Sequence, residues 1–354
     1  MKKNKTQSIL TLDIGGGTQD LLVWSEGESL ENSLQCILPS PTIMIGRRIQ
    51  RATQEGKPIF LTGYLMGGGS SSEAVRNHLK AGCPVFARPQ AALTIHDDLD
   101  QVTRMGIQFI EAAPPGAVEI KTGDIQEEAL VGLFESFDLD LPEVRLVAVQ
   151  DHGFAPRESN RRFRFKQWEV FLSSEKPLEA LLYQDIPAHL TRMRAVQQTW
   201  PQALVMDTGA AAILGALEDD RLSEDDASSR LIVNIGNEHT LAAWMIEGQL
   251  KGIFEHHTFF MQKEKLMAQL QDFVSGRLSN EQVLEEKGHG CLNLAPWSGR
   301  FPLLIVTGPR RGILAGTQAL KAAPFGNMML SGCFGLLRAY GYIKNRLEEK
   351  KPLP

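Results

Sequence analysis

Apolar residues gather at Ile9, Leu10 and Leu12, stop at Asp13, and resume from Leu21 to Trp24 after three consecutive glycines, Gly15, Gly16 and Gly17. This spacing predicts two strands joined by a short glycine-rich turn. A second stretch, Leu231 to Ile246, repeats the design: apolar strand, polar residue, glycine, polar turn, threonine, apolar strand. Shorter apolar runs at Leu34–Leu38, Ile59–Thr62, Val144–Val149, Leu250–Phe254 and Leu303–Thr307 predict further strands. Helical patterns cover Ile43–Thr53, Glu73–Lys80, Ile125–Phe137, Met261–Val274 and Met328–Leu347. Asp124 and Glu127 have the spacing of a capping box for the third of these, and Ser279 with Gln282 starts another helix. Pro177–Tyr183 and Pro187–Thr199 read as helices with proline in the first position. The Ala-rich run Val205–Leu217 reads as a tightly packed helix associated with Asp207.

Three glycines exceed the needs of a tight turn. The extra ones remove Cβ atoms where something large approaches the backbone, and let successive N–H groups converge on an anion. Asp13 ends the first strand, where a carboxylate can hold a metal ion or its water, and Thr18 and Asp20 add a hydroxyl and a second carboxylate. With strands on both sides, phosphate binding is favoured over an ordinary loose hairpin. The run Gly67–Gly69 before Ser70–Ser72 reads instead as a flexible loop with an N-cap serine. Asp151 and His152 follow the strand Val144–Val149, and strand ends of this kind are where α/β proteins place chemistry. The arginines that come next, Arg157, Arg161, Arg162 and Arg164, fit a solvated face, a phosphate or carboxylate contact, or, last in rank, a nucleic-acid patch.

The 354 residues suffice for two domains. A net charge of −5 gives no global attraction to nucleic acid or membrane, and no apolar run reaches membrane-spanning length. The four cysteines are far apart, which suits buried thiols of a cytoplasmic protein, and the basic start of the chain is interrupted by Asp13 too early for a signal peptide.

The repeated hairpin is the deciding pattern: Asp13, Gly15 and Thr18 match Asn234, Gly236 and Thr240. A chain that uses this element once in each half resembles the actin-like ATPase superfamily of sugar kinases, heat-shock chaperones and actin. DTGAAAILGAL resembles its first connecting helix, LLIVTGPRRG its adenosine motif, and FGNMMLSGCFGLLRAYGYI its second connecting helix, with Ser331, Gly332 and Gly335 small enough for close crossing. The resemblance implies an α/β fold of two ribonuclease-H-like domains with mixed sheets and a nucleotide cleft between them. It assigns residues 1–200 plus a C-terminal helix, 326–350, to the first domain and 201–325 to the second. It further implies ATP held with Mg²⁺: Gly15, Gly16, Gly17 and Thr18 on one side of the phosphates, Gly236, Asn237 and Thr240 on the other, and Gly308 and Gly312 beside the adenosine. Asp13 and Asp207 would hold Mg²⁺, and Asp13, Asp207, Asp151 and His152 are the candidate catalytic groups. More narrowly, QDHGFAPRESNRRFRF with VMDTGAAAILGAL resembles an uncharacterised prokaryotic branch with a domain of unknown function, some of whose members carry the label pyruvate formate-lyase activating enzyme. Activases of that name resemble radical-SAM enzymes, which need closely spaced cysteines, and none occur here.

Asn234 stands where many relatives have aspartate, and an amide cannot act as a base. Two functions therefore compete. One is a Mg²⁺-dependent ATPase or phosphotransferase acting on an unknown small molecule or driving a protein partner. The other is a non-catalytic nucleotide-dependent sensor or scaffold that recruits a protein. A metal hydrolase built on His239, His256 and His257 is set aside because these histidines lack ligand spacing.

Overall fold

The computed structural model describes residues 7–223 and 228–349. The first six residues, the centre of the acidic connection (224–227) and position 350 of the expected C-terminal segment lie outside them.

The first hairpin forms as expected from β1 (Ser8–Ile14) and β2 (Thr18–Ser25), with β3 (Leu34–Pro39) antiparallel beside β2. Next comes α1 (Pro41–Gln54), which Ser40 begins by accepting from the Ile43 N–H, with Pro41 supplying the preset φ of a first turn. The strands β4 (Ile59–Gly63), β5 (Val85–Ala87), β6 (Gln108–Phe109) and β7 (Val118–Thr122) form a separate, all-parallel sheet in the order β6-β5-β4-β7. Threaded between them are α2 (Gly69–Lys80), α3 (Pro89–Ala92) and α4 (Leu99–Arg104). The chain returns to the first sheet through α5 (Glu127–Glu135), β8 (Val144–Val149), α6 (Asn160–Ser173), α7 (Thr191–Thr199) and β9 (Leu204–Asp207). After α8 (Thr208–Ala216) the second half begins with β10 (Ser229–Ile235), β11 (His239–Ile246) and β12 (Gln249–His257). It continues with α9 (Lys263–Val274), α10 (Asn280–Glu285), β13 (Gly290–Asn293), β14 (Leu303–Thr307) and β15 (Leu320–Lys321), and ends in α11 (Ser331–Glu349).

The two large sheets share one topology. The first runs β3-β2-β1-β8-β9 and the second β12-β11-β10-β14-β15, with β13 added outside β12. In both, three antiparallel strands are followed by two parallel ones. This doubled ribonuclease-H-like order is the actin-like fold that the repeated hairpin predicts. Between the sheets lie α8 and α11, and the apolar core there takes Ile9, Leu146, Ala211, Leu214, Ile232, Ile305 and Leu336 from both halves. The two helices touch backbone to backbone: a Cβ at Gly215 would collide with the Ser331 carbonyl, and one at Gly335 with the Ala211 carbonyl.

Several local expectations are corrected. Asp124 caps no helix; α5 starts only at Glu127, because the Asp124 carboxylate is held by Arg192 through two hydrogen bonds of 2.9 and 2.7 Å. Val205 and Met206 belong to β9, since pairing with β8 outweighs the helical pattern there. The Pro177 segment is one 3-10 turn, Leu178–Leu181, and the following helix starts at Thr191. The capping box of Ser279 and Gln282 is present.

Candidate functional site

A cleft of about 590 Å³ runs between the halves, lined by both hairpin turns, the Gly67–Gly69 loop, Gln150–Gly153 and Thr307–Pro309. At its floor Asp13 and Asp20 face each other across the first hairpin as paired positions of β1 and β2. Both are buried. Thr208 donates its hydroxyl hydrogen to Asp13, and Gly332 leaves the space that Asp13 Oδ2 fills. Burial raises the Asp13 carboxyl to about 7 against the Thr208 hydrogen bond, and the charge of Asp207 adds to the rise. Burial and the neighbouring Asp13 raise Asp20 to about 8. One oxygen of Asp20, Oδ1, is buried without a hydrogen-bond partner. Two buried carboxyl groups beside threonine hydroxyls, one with an unsatisfied oxygen, form a hard-oxygen donor set of the kind Mg²⁺ takes.

The two hairpin turns meet. Gly16 faces the Glu238 side chain and Gly17 the Asn237 side chain so closely that a Cβ at either position would displace it. Gly15 and Gly236 close their turns through matching bonds, Gly15 N–H to the Thr18 carbonyl and Gly236 N–H to the His239 carbonyl, both 2.9 Å. Gly308 has φ +93 and packs against the Ile235 carbonyl and Asn234 Oδ1, so the turn after β14 is seated on the second hairpin. Not every candidate reaches the cleft. The Thr240 hydroxyl is buried within its sheet, 3.0 Å from Thr258 Oγ1, and Gly312 sits in a 3-10 turn with open space where a Cβ would be.

Asp207 and Asp151 are both engaged by the fold. Asp207 caps α8 through the Gly209 and Ala210 N–H groups and receives Arg164 at 2.8 and 3.3 Å. Asp151 accepts from Gly153 N–H at 2.8 Å and from Met193 N–H at 3.0 Å. Arg164 is buried on α6 and also binds Glu255 of β12 at 2.7 Å, while Gln150 donates to the other Glu255 oxygen at 2.6 Å. Burial opposes the Arg164 charge, but Asp207 and Glu255 outweigh it and hold the guanidinium above its ordinary range. The arginine run is thus a clamp: Arg161 donates to the Gly288 carbonyl, Arg162 pairs with Glu281, and Arg164 pairs with Glu255.

His152 is drawn into a group of imidazoles from the second half. Its Nε2 lies 3.0 Å from His289 Nε2, and the rings of His239 and His257 pack around them. Burial, strengthened by Arg164, holds His152 well below the usual histidine value, and burial lowers His239 to about 3. Sequence reasoning did not find Glu255, Arg192 or His289; the two glycines flanking His289 are the only local signal there.

The model of a family described as "Putative pyruvate format-lyase activating enzyme (DUF1786)" matches residues 66–313, more than two thirds of the chain. No curated protein matches. Among solved structures, the activator of the 2-hydroxyisocaproyl-CoA dehydratase from Clostridium difficile, with bound ADPNP, aligns over 98% of this chain and 100% of its own at 10% identity and a TM-score of 0.37. A ROK family glucokinase from Streptomyces griseus, in complex with glucose and AMPPNP, aligns over 93% and 97% at 11% identity and a TM-score of 0.34. A ROK family transcriptional regulator, a homolog of the E. coli MLC protein, aligns over 70% of this chain at 9% identity and a TM-score of 0.27, and this chain spans 38% of its length.

Proposed function

This chain belongs to the DUF1786 family, and from that premise and the chemistry of its cleft we propose that it binds ATP with Mg²⁺ and hydrolyses or transfers the terminal phosphoryl group. The observation that carries the reading is the buried pair Asp13 and Asp20 lining one cleft with the glycine turn of the first hairpin and the Gly236 turn of the second. Asp13, with Asp20 behind it, would hold the metal, which neutralises charge on phosphate oxygens. With Gly15 and Gly236 closing their turns, backbone N–H groups of Gly16 and Gly17 and of Asn237 would orient the phosphate chain, as preorganised donors do without reorganising during reaction. Gly308, on the cleft wall and seated on the second hairpin, would lie beside the adenosine. Asp207 would act on the site through Arg164, and Asp151 by fixing the loop that carries His152. The proposed division of 1–200 with 326–350 from 201–325 shifts its boundary past β9, whose Leu204–Asp207 pairs with β8 of the first sheet, and a cytoplasmic location is part of the same reading. Among the described residues no helix is long and apolar enough to cross a membrane.

The family description is not a guide to the chemistry. The four cysteines are free and dispersed, and none joins a group that could share a metal ion among the described residues. The second reading, a nucleotide-dependent sensor that recruits a protein, is favoured by Asn234 at the second hairpin and by an Asp151 whose two oxygens already accept backbone hydrogens. Calorimetric titration of ATP with and without Mg²⁺, followed by phosphate release on the same sample, separates them. Mg²⁺-dependent binding with turnover that Asp13→Ala abolishes supports the enzyme; binding without turnover supports the sensor; absence of binding removes both.

A further inference from the structure

We infer that His152, His239 and His289 form a site for one divalent transition-metal ion of the zinc class, shared by the two halves of the molecule. One side-chain nitrogen from each lies within 4.8 Å of the other two. No local turn produces this: His152 follows β8 of the first sheet, His239 opens β11, and His289 immediately precedes β13. The facing Nε2 atoms of His152 and His289, 3.0 Å apart, can share at most one hydrogen between them, and that leaves the third imidazole without a function in the group. An ion at their centre would use a lone pair from each.

His289 is the most buried of the three. It is 1% exposed, and its Nδ1 has no hydrogen-bond partner. The donor type sets the class of ion. Imidazole nitrogens suit Zn²⁺ and its neighbours, whereas Mg²⁺ prefers oxygen, so this site differs chemically from the one at Asp13 and Asp20. Three histidines leave a fourth position of a tetrahedral ion free. His152 and His239 line the cleft, so that position opens toward it, where a water or an anionic oxygen of a ligand is the natural donor. Since His152 comes from the first half and the other two from the second, binding of the ion would favour the closed cleft. The assignment does not depend on nucleotide binding.

Untagged full-length protein, stripped by chelator and dialysed, is titrated with Co²⁺ while visible absorption is followed, and Zn²⁺ is then added. The expected result is ligand-field bands of tetrahedral Co²⁺ that saturate at one ion per chain and bleach as Zn²⁺ displaces it. His239→Ala and His289→Ala should each weaken Co²⁺ by more than about 100-fold, since even outer-shell changes cost about 10–100-fold. His96→Ala, an exposed histidine elsewhere on the cleft wall, should leave it unchanged. Thermal unfolding on the same samples should show Zn²⁺ raising the Tm of the wild type but not of the triad variants. If an alanine variant does not fold, His289→Gln and His239→Asn keep much of the side-chain volume and are read instead. Absence of saturable bands in the wild type, or equal Co²⁺ affinity in the folded triad variants, overturns the site.

Discussion

Arg164 on α6 and Glu255 on β12 meet across the two halves of the molecule in a buried ion pair of 2.7 Å, and the same guanidinium holds Asp207 at 2.8 Å. One arginine thus neutralises one carboxylate from each half. Replacing Arg164 with Met leaves both acids buried without their counter-charge. Removing one partner of a buried pair costs about 3–5 kcal/mol, and that loss is expected in urea unfolding of Arg164→Met. The triple variant Arg164→Met, Glu255→Gln, Asp207→Asn should recover part of it, because the stranded charges are gone. Full stability in Arg164→Met would show that the clamp is dispensable.

The crossing of α8 and α11 gives a prediction with opposite signs along one helix. Gly335→Ala places a methyl against the Ala211 carbonyl, and Gly215→Ala one against the Ser331 carbonyl; neither backbone can yield without separating the helices. Both should lose at least about 3 kcal/mol or fail to accumulate as folded protein. Gly341→Ala, with nothing within 4 Å on the same α11, should gain roughly 0.5–1 kcal/mol from helix propensity alone. Thermal melts of the three variants decide, and equal effects at all three positions would refute the close crossing.

Gly16→Ala separates two reasons for the glycine run. Its methyl meets the side chain of Glu238, which is exposed and free to swing aside, so stability should stay within about 0.5 kcal/mol of the wild type. If the turn also cradles phosphate, Mg²⁺-ATP affinity should fall by about tenfold or more, roughly 1.4 kcal/mol. Unchanged affinity by calorimetry would mean that the glycines serve only the contact between the two turns.

Asp219 ties the segment after β15 to the end of the α8 region. Its carboxylate accepts from Arg221 and from the Ala323 N–H, and these bonds, Arg221 foremost, hold its pKa down at about 2. A lowered folded-state value means that the ionised form stabilises the fold. That stability is fully present above the unfolded value near 3.8 and disappears as the pH falls toward 2. Asp219→Asn should therefore be less stable than the wild type at pH 7, with the gap closing between about pH 4 and pH 2. A gap independent of pH across that window would contradict the assignment.

Much of the fold was readable along the chain because it rests on local rules. Period-two apolar runs flanking polar, glycine-containing turns identified both hairpins, whereas the tight crossing of the last helix with α8 was expected only from the family resemblance. Asp13 was readable for the same reason, since a carboxylate at the end of an apolar strand is exceptional on local grounds. Misreadings arose where a distant partner outbid a neighbour. Asp124 is spaced to cap a helix but is taken by Arg192, 68 positions away, through a charge-assisted pair stronger than one N–H bond. The arginines after His152 were open to several readings along the chain, and three of them, Arg161, Arg162 and Arg164, grip residues 288, 281 and 255 of the other half.

The amino-acid sequence by itself determined the two hairpins, their repetition and the acid at the cleft floor, since strand period, turn chemistry and apolar spacing act over a few residues. Which side chains share the cleft depends on the folded whole. His152 and His289 are 137 positions apart, and no spacing rule links them. Their meeting depends on how two folded sheets dock through α8 and α11, and docking is set by the summed packing of many buried residues, not by any stretch that contains either histidine.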